Sequence, residues 1–167
     1  MAITKMKSTG KNEPAIGLST RERKEVAECL SHALSETYMV QLKTQYYHWN
    51  VKGPFFQSLH LLFEAQYDAL ALAVDELAER IRSLGATAPG TFEQFSRLVS
   101  FKEDKTLPSS WEAMVSNLVE ANEAIIRNAR TWLATAQKAE DEGSADLFIR
   151  RIQEHEKATW MLRSHLQ

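Results

Sequence analysis

Apolar residues recur at helical intervals along most of the chain. Val26, Leu30, Leu34, Met39 and Leu42 form the first such run. Ser19 and Glu22 stand ahead of it at capping-box spacing, and Gly53-Pro54 closes it, so a first helix is expected from about Ser19, with His48 near its end. A second is expected from about Phe55 to Leu84, free of internal Gly and Pro and roughly 45 Å long, with Gly85 where a C-terminal cap belongs. Residues 86–108 form a connection too long to be structureless, and Phe92, Phe95, Leu98 and Val99 predict a short helix inside it. After Pro108, Ser109 and Glu112 repeat the capping-box spacing and open a helix through Trp111, Leu118, Ile125 and Trp132 to about Lys138. Gly143-Ser144 punctuates, and a last helix runs to the C-terminus.

Four long helices with an extended link between the second and third match an all-α, ferritin-like four-helix bundle, in which the link lets those two helices run parallel. Composition agrees. Six Gly and four Pro leave few interruptions, and a hydrophobic content of 44% is enough for one domain to bury its core without a disulfide. Residues 1–18, with Lys5, Lys7 and Lys11 and little apolar periodicity, are expected to form a mobile cationic tail on a bundle spanning 19–167. No apolar run approaches the roughly 18 residues of a membrane span. The single cysteine, Cys29, has no partner in its chain, and the polar N-terminus lacks the core of a signal peptide, which together predict a cytoplasmic protein. A net charge of −2 confines any nucleic-acid contact to a local cluster of cations.

The second helix is apolar on two sides. Leu59, Leu62, Phe63, Leu70, Val74, Leu77, Ile81 and Leu84 make one broad stripe for the bundle core. On the reverse side lie Leu61, Ala71, Leu72 and Ala78, and among them His60, Glu64, Asp75 and Glu79. A solvated face would not need those leucines, so this side is a candidate subunit interface. His60 and Glu64 are one turn apart, as are Asp75 and Glu79, and each pair can hold one cation; without a cation the two acids repel by a few tenths of a kcal/mol. The bland alternative has Asp75 and Glu79 as surface acids, Glu76 and Arg80 as a helix salt bridge, and His60 as a satisfied interface histidine.

Distance separates the two pairs. His60 and Asp75 lie about 22 Å apart along a straight helix, and metal ligands must converge within a few ångströms, so one chain cannot close the site. Two copies of the helix packed antiparallel about a two-fold axis near Asp68 and Ala69 would bring His60 and Glu64 of one opposite Asp75 and Glu79 of the other, giving two identical sites. Imidazole with several carboxylates suits iron, and His48 can reach the same cluster.

The run His48-Trp49-Asn50-Val51-Lys52-Gly53, followed after five residues by Leu59-His60 and after three more by Glu64, resembles the first signature of the Dps family of mini-ferritins. Asp75-Glu76-Leu77-Ala78-Glu79-Arg80, with Leu84-Gly85 three residues on, resembles the second. The resemblance implies a dodecameric cage with iron-oxidising centres at two-fold interfaces, His48, His60 and Glu64 from one subunit and Asp75 and Glu79 from the other. It implies Fe(II) oxidation by hydrogen peroxide or, more slowly, dioxygen, with Fe(III) stored in the cavity and DNA protected from oxidative damage. Glu64 departs from the Asp found in many members, lengthening the ligand's reach by a methylene. The chain has no Glu-x-x-His, the intrasubunit di-iron motif of larger ferritins. Trp49 is expected to pack in the core, or else over the centre where it can take up an oxidising equivalent. Glu140, Asp141, Glu142 and Asp146 are candidates for an iron-entry pore, with a solvated loop as the alternative. Lys5, Lys7 and Lys11 resemble the lysine-rich tails of members that compact DNA, a location on the nucleoid following if they do; the competing functional readings are a DNA-compacting architectural protein with a weak or inactive centre and a helical interaction module. His32, His155 and His165 have no partner at metal spacing.

Overall fold

The computed structural model describes residues 13–167 and contains, among them, five helices and no strand. These are α1 (Thr20–Asn50), α2 (Phe56–Ser83), α3 (Phe92–Leu98), α4 (Trp111–Lys138) and α5 (Glu142–Arg163). The Ser19–Glu22 capping box forms as expected, each side chain bonding the other residue's backbone N–H. Gly85 ends α2 in the left-handed region at φ +87, and a Cβ there would come within 2.9 Å of Pro14. The stretch ahead of α1 therefore lies against the α2 terminus, and Arg23 holds it by bonds to Glu13 and to the Leu18 carbonyl. Docked chain reaches back at least to Glu13, ahead of the expected start of order at Ser19.

Two helix starts differ from expectation. The cap of α4 is Ser110, whose hydroxyl accepts from Ala113 N, rather than Ser109. Two adjacent serines offer the same chemistry, and the later one leaves Trp111 as the first helical residue, its indole edge-on to Phe55 at 4.9 Å. The α4–α5 reversal falls at 139–141, with Glu140 at φ +55, so Gly143-Ser144 lies inside the first turn of α5. Asp141 is the cap: it accepts from Ser144 N and Ser144 Oγ and pairs with Arg80 at 2.5 Å. Glu76 pairs with Arg150 at 2.6 Å, so the Glu76–Arg80 bridge of the bland alternative does not form and α2 is tied twice to the α5 segment instead.

The core forms three layers along the bundle. Val26, Leu30, Leu34, Ile81, Leu84 and Phe148 belong to the one at the Gly85 end, Val40, Ala121 and Ile125 to the middle, and Tyr47, Leu59, Phe63, Leu118 and Leu162 to the far end. Each fully buried large side chain contributes about 1.5–3 kcal/mol. Phe55 and Trp111, at the starts of α2 and α4, meet at the far end, so these two helices run parallel, as the long crossover predicts. That crossover is pinned across α1. Ser100 N and Asn128 Nδ2 donate to buried Glu36, while Lys43, Tyr47 and Asn117 all donate to Asp104. Burial, with Asp104 beside it, raises the Tyr47 phenol above its ordinary value and keeps it a donor.

His155 sits in the bundle at 2% exposure, bonded through Nδ1 to Asn122 Oδ1 at 2.7 Å. Burial depresses its pKa from 6.5 to about 3. The unfolded chain therefore takes up a proton below pH 6.5 that the folded chain refuses until about pH 3, so stability falls as pH drops through that window, by up to about 1.4 kcal/mol per unit. Urea denaturation at fixed protein concentration should show His155 contributing a loss of about 2 kcal/mol between pH 6.5 and 5, and His155→Phe should flatten the pH dependence by that amount.

Candidate metal centre

α1 and α2 are joined by a tight turn in which Gly53 adopts φ +109 and Val51 N donates to the Tyr47 carbonyl. The turn lays the last turn of α1 beside the first of α2 and brings His48 and His60 face to face, with ring centroids 3.7 Å apart and planes 18° from parallel. The two residues exchange hydrogen bonds: His48 Nδ1–H donates to the His60 carbonyl and His60 Nδ1–H to the His48 carbonyl, each at 2.9 Å. A carbonyl oxygen only accepts, so both Nδ1 atoms carry the proton. Each neutral ring then keeps its lone pair on Nε2. This backbone-anchored tautomer is the usual support of a metal-binding imidazole.

Aromatic rings fix the pair further. Phe56 stacks on His60 at 5.1 Å, and Tyr67 meets His48 edge-on at 5.2 Å. The sequence argument missed both, although Tyr67 lies seven residues after His60 and so on its face of the helix. His48 is buried, His60 and Glu64 half-buried, and Asp75 and Glu79 exposed further along the same helix. Leu61 and Leu72 are 53% and 76% exposed beside them, so the reverse face of α2 is uncovered in the single chain. Among the described residues no three His, Cys, Asp or Glu side chains converge on a metal position, the His48, His60 and Glu64 set included.

The remaining candidates separate. Trp49 is 63% exposed rather than packed in the core, because it follows His48 onto the outer face of α1. Asp141 is 4% exposed and committed to its cap and to Arg80, whereas Glu140, Glu142 and Asp146 face solvent, Asp146 beside Arg150. His32 Nδ1–H donates to the Leu98 carbonyl at 2.8 Å and the ring stacks on Trp132, and His165 lies edge-on to Phe55. Lys5, Lys7 and Lys11 lie outside the described residues.

A helix bundle with a long crossover between its second and third long helices is a ferritin-like architecture, and residues 17–167 match the family model for the ferritin-like domain. The chain is 39% identical over 153 residues to a low temperature-induced protein of Nostoc, spanning 91% of this chain and 86% of that one. It is 32% identical to DNA protection during starvation protein 2 of Bacillus anthracis, over 86% of this chain and 97% of that one. Its fold superposes on the Dps crystal structure from Vibrio cholerae, described as a member of a broad superfamily of ferritin-like diiron-carboxylate proteins, with a TM-score of 0.88 and 32% identity over 96% of this chain and all of that one. The chain belongs to the Dps family. No helix among the described residues is long and apolar enough to cross a membrane.

Tautomers are directly measurable. Nitrogen-15 NMR of histidine-labelled protein at pH 8 should show His48 and His60 with protonated Nδ1 and unprotonated Nε2; the opposite tautomer at either would remove that residue from the ligand set.

Proposed function

We propose that this protein oxidises Fe(II) at centres shared between two subunits and stores the product as Fe(III) inside a cage. The observation that carries the reading is the His48–His60 exchange, which spends both Nδ1 protons on backbone carbonyls and leaves both Nε2 lone pairs for a cation. Glu64, one turn from His60, adds a carboxylate, and the mixed nitrogen and oxygen set suits iron. Asp75 and Glu79 complete the site from a second copy related by a two-fold axis near Asp68 and Ala69. Association is favoured by the uncovered leucines: burying Leu72 alone is worth about 1.5–3 kcal/mol, well above the few tenths of repulsion between Asp75 and Glu79. The dimer is the unit of a closed, dodecameric cage in the cytoplasm.

In the reaction two Fe(II) each give one electron to hydrogen peroxide, which takes up two protons and leaves as two waters. Supplying both electrons at one site avoids the hydroxyl radical that a single electron would release, which protects nearby DNA. Dioxygen serves as a slower oxidant. Trp49, exposed next to His48, is placed to accept a stray oxidising equivalent, and Glu140, Glu142 and Asp146 to draw hydrated Fe(II) toward a subunit junction. The double variant His60→Ala, Asp75→Ala should retain the cage by size-exclusion chromatography and lose rapid Fe(II) oxidation, by about a hundredfold if each of the two ligands is worth about 1.4 kcal/mol. Undiminished oxidation would disprove the assignment.

A second activity, sequence-independent DNA binding, is suggested by Lys5, Lys7 and Lys11, which a cage would present in many copies. Deleting residues 1–12 should abolish a gel shift seen at low salt, and the full-length shift should weaken steeply as salt rises. An unchanged shift would clear these lysines of the role.

A further inference from the structure

Phe56, His60, Glu64 and Tyr67 follow one another along α2 at intervals of four, four and three residues, so they share one face of the helix. His48 enters this face from α1 and touches both His60 and Tyr67. The result is a row of rings, Phe56, His60, His48 and Tyr67, with successive centroids 5.1, 3.7 and 5.2 Å apart. Phe56 lies 29° from parallel to His60, and Tyr67 stands at 78° to His48, so one end of the row is stacked and the other edge-on. A ring has two faces; with His48 stacked on one face of His60, Phe56 takes the other. Eleven residues of helix, about 16 Å, separate Phe56 from Tyr67, and the two imidazoles fill that stretch.

The Nδ1–H bonds to the carbonyls do not by themselves set the rings. Each bond fixes one ring atom and leaves the imidazole free to turn about it, which swings Nε2 through an arc, so the plane must come from what lies against the ring. Stacking between the two histidines fixes their planes relative to each other, but the pair could still tilt together. The outer rings oppose that tilt. We propose that Phe56 and Tyr67 are positioning residues, their rings stopping the two imidazoles at the ends of the row and holding both Nε2 lone pairs where a cation meets them. The inference rests on the ligand assignment made above and adds two residues to it. Phe56 has no atom that could ligate, and Tyr67 acts here through its ring, so both work by restricting His60 and His48 rather than by touching iron.

Nitrogen-15 NMR of the histidine-labelled, metal-free protein separates the two ends of the row. Tyr67→Leu should give His48 a mixture of Nδ1–H and Nε2–H tautomers with His60 little changed. Phe56→Leu should do the same to His60 rather than His48, and Tyr67→Phe, which keeps the ring, should match the wild type. Anaerobic titration with Fe(II) alone should show affinity weakened about 2- to 10-fold in each leucine variant, the worth of one aromatic pair, and restored in Tyr67→Phe. Equal disturbance of both histidines in both leucine variants would mean a general loosening of the bundle and would overturn the proposal. So would unaltered Fe(II) affinity, which would mean that the Nδ1 bonds hold the ligands unaided. Ring-specific changes and weakened Fe(II) binding in a protein that oxidises Fe(II) no faster than buffer would leave the positioning role standing and sink the ferroxidase reading instead.

Discussion

An α-helix rises 1.5 Å per residue, and from this the organisation of the protein follows. His60 and Asp75 share a helix face but sit about 22 Å apart, well beyond any metal's coordination shell. Bending α2 enough to close that distance would destroy the core stripe on its other side, where Leu59, Phe63, Leu77 and Ile81 are fully buried. In the proposed assembly a second copy of α2 running the other way supplies the other half of the set. The exposed Leu61 and Leu72 on the reverse face would give such a copy apolar surface to dock on.

The half-site itself depends on the α1–α2 turn. Two imidazoles stacked at 3.7 Å could rotate into many arrangements, but each donates its Nδ1 proton to the other residue's carbonyl, so ring orientation is tied to backbone position. Whatever holds the helices in register also holds the two imidazoles. That register comes from α1, which is clasped between α2 and the crossover. Glu36 and Asp104 anchor the crossover through five donors, Ser100, Asn128, Lys43, Tyr47 and Asn117. These carboxylates are buried or nearly so and fully used, an arrangement that favours one geometry over near alternatives.

Polarity inside the bundle is treated in two ways. Around Glu36 and Asp104 the donors and acceptors balance within the chain. Elsewhere Thr37 Oγ1, Gln66 Nε2, Arg151 Nε and His155 Nε2 are buried without a hydrogen-bond partner among the described residues.

Helical periodicity and caps are local properties, so the sequence alone determined the helices, the short α3 in the crossover, the Ser19 and Gly85 termini and the two-faced character of α2. Fixed rise per residue made the separation of His60 from Asp75 along α2 legible as well. Tertiary structure decided what depends on neighbours distant in sequence. Ser110 rather than Ser109 caps α4 because Trp111 docks on Phe55, and Asp141 leaves the acidic run to cap α5 because Arg80 reaches it from α2. Trp49 turned outward, and Glu76 took Arg150 in place of Arg80. The His48–His60 exchange was hidden for the same reason: spacing places two rings near each other, but only the path of the backbone through Gly53 decides which carbonyl each nitrogen meets.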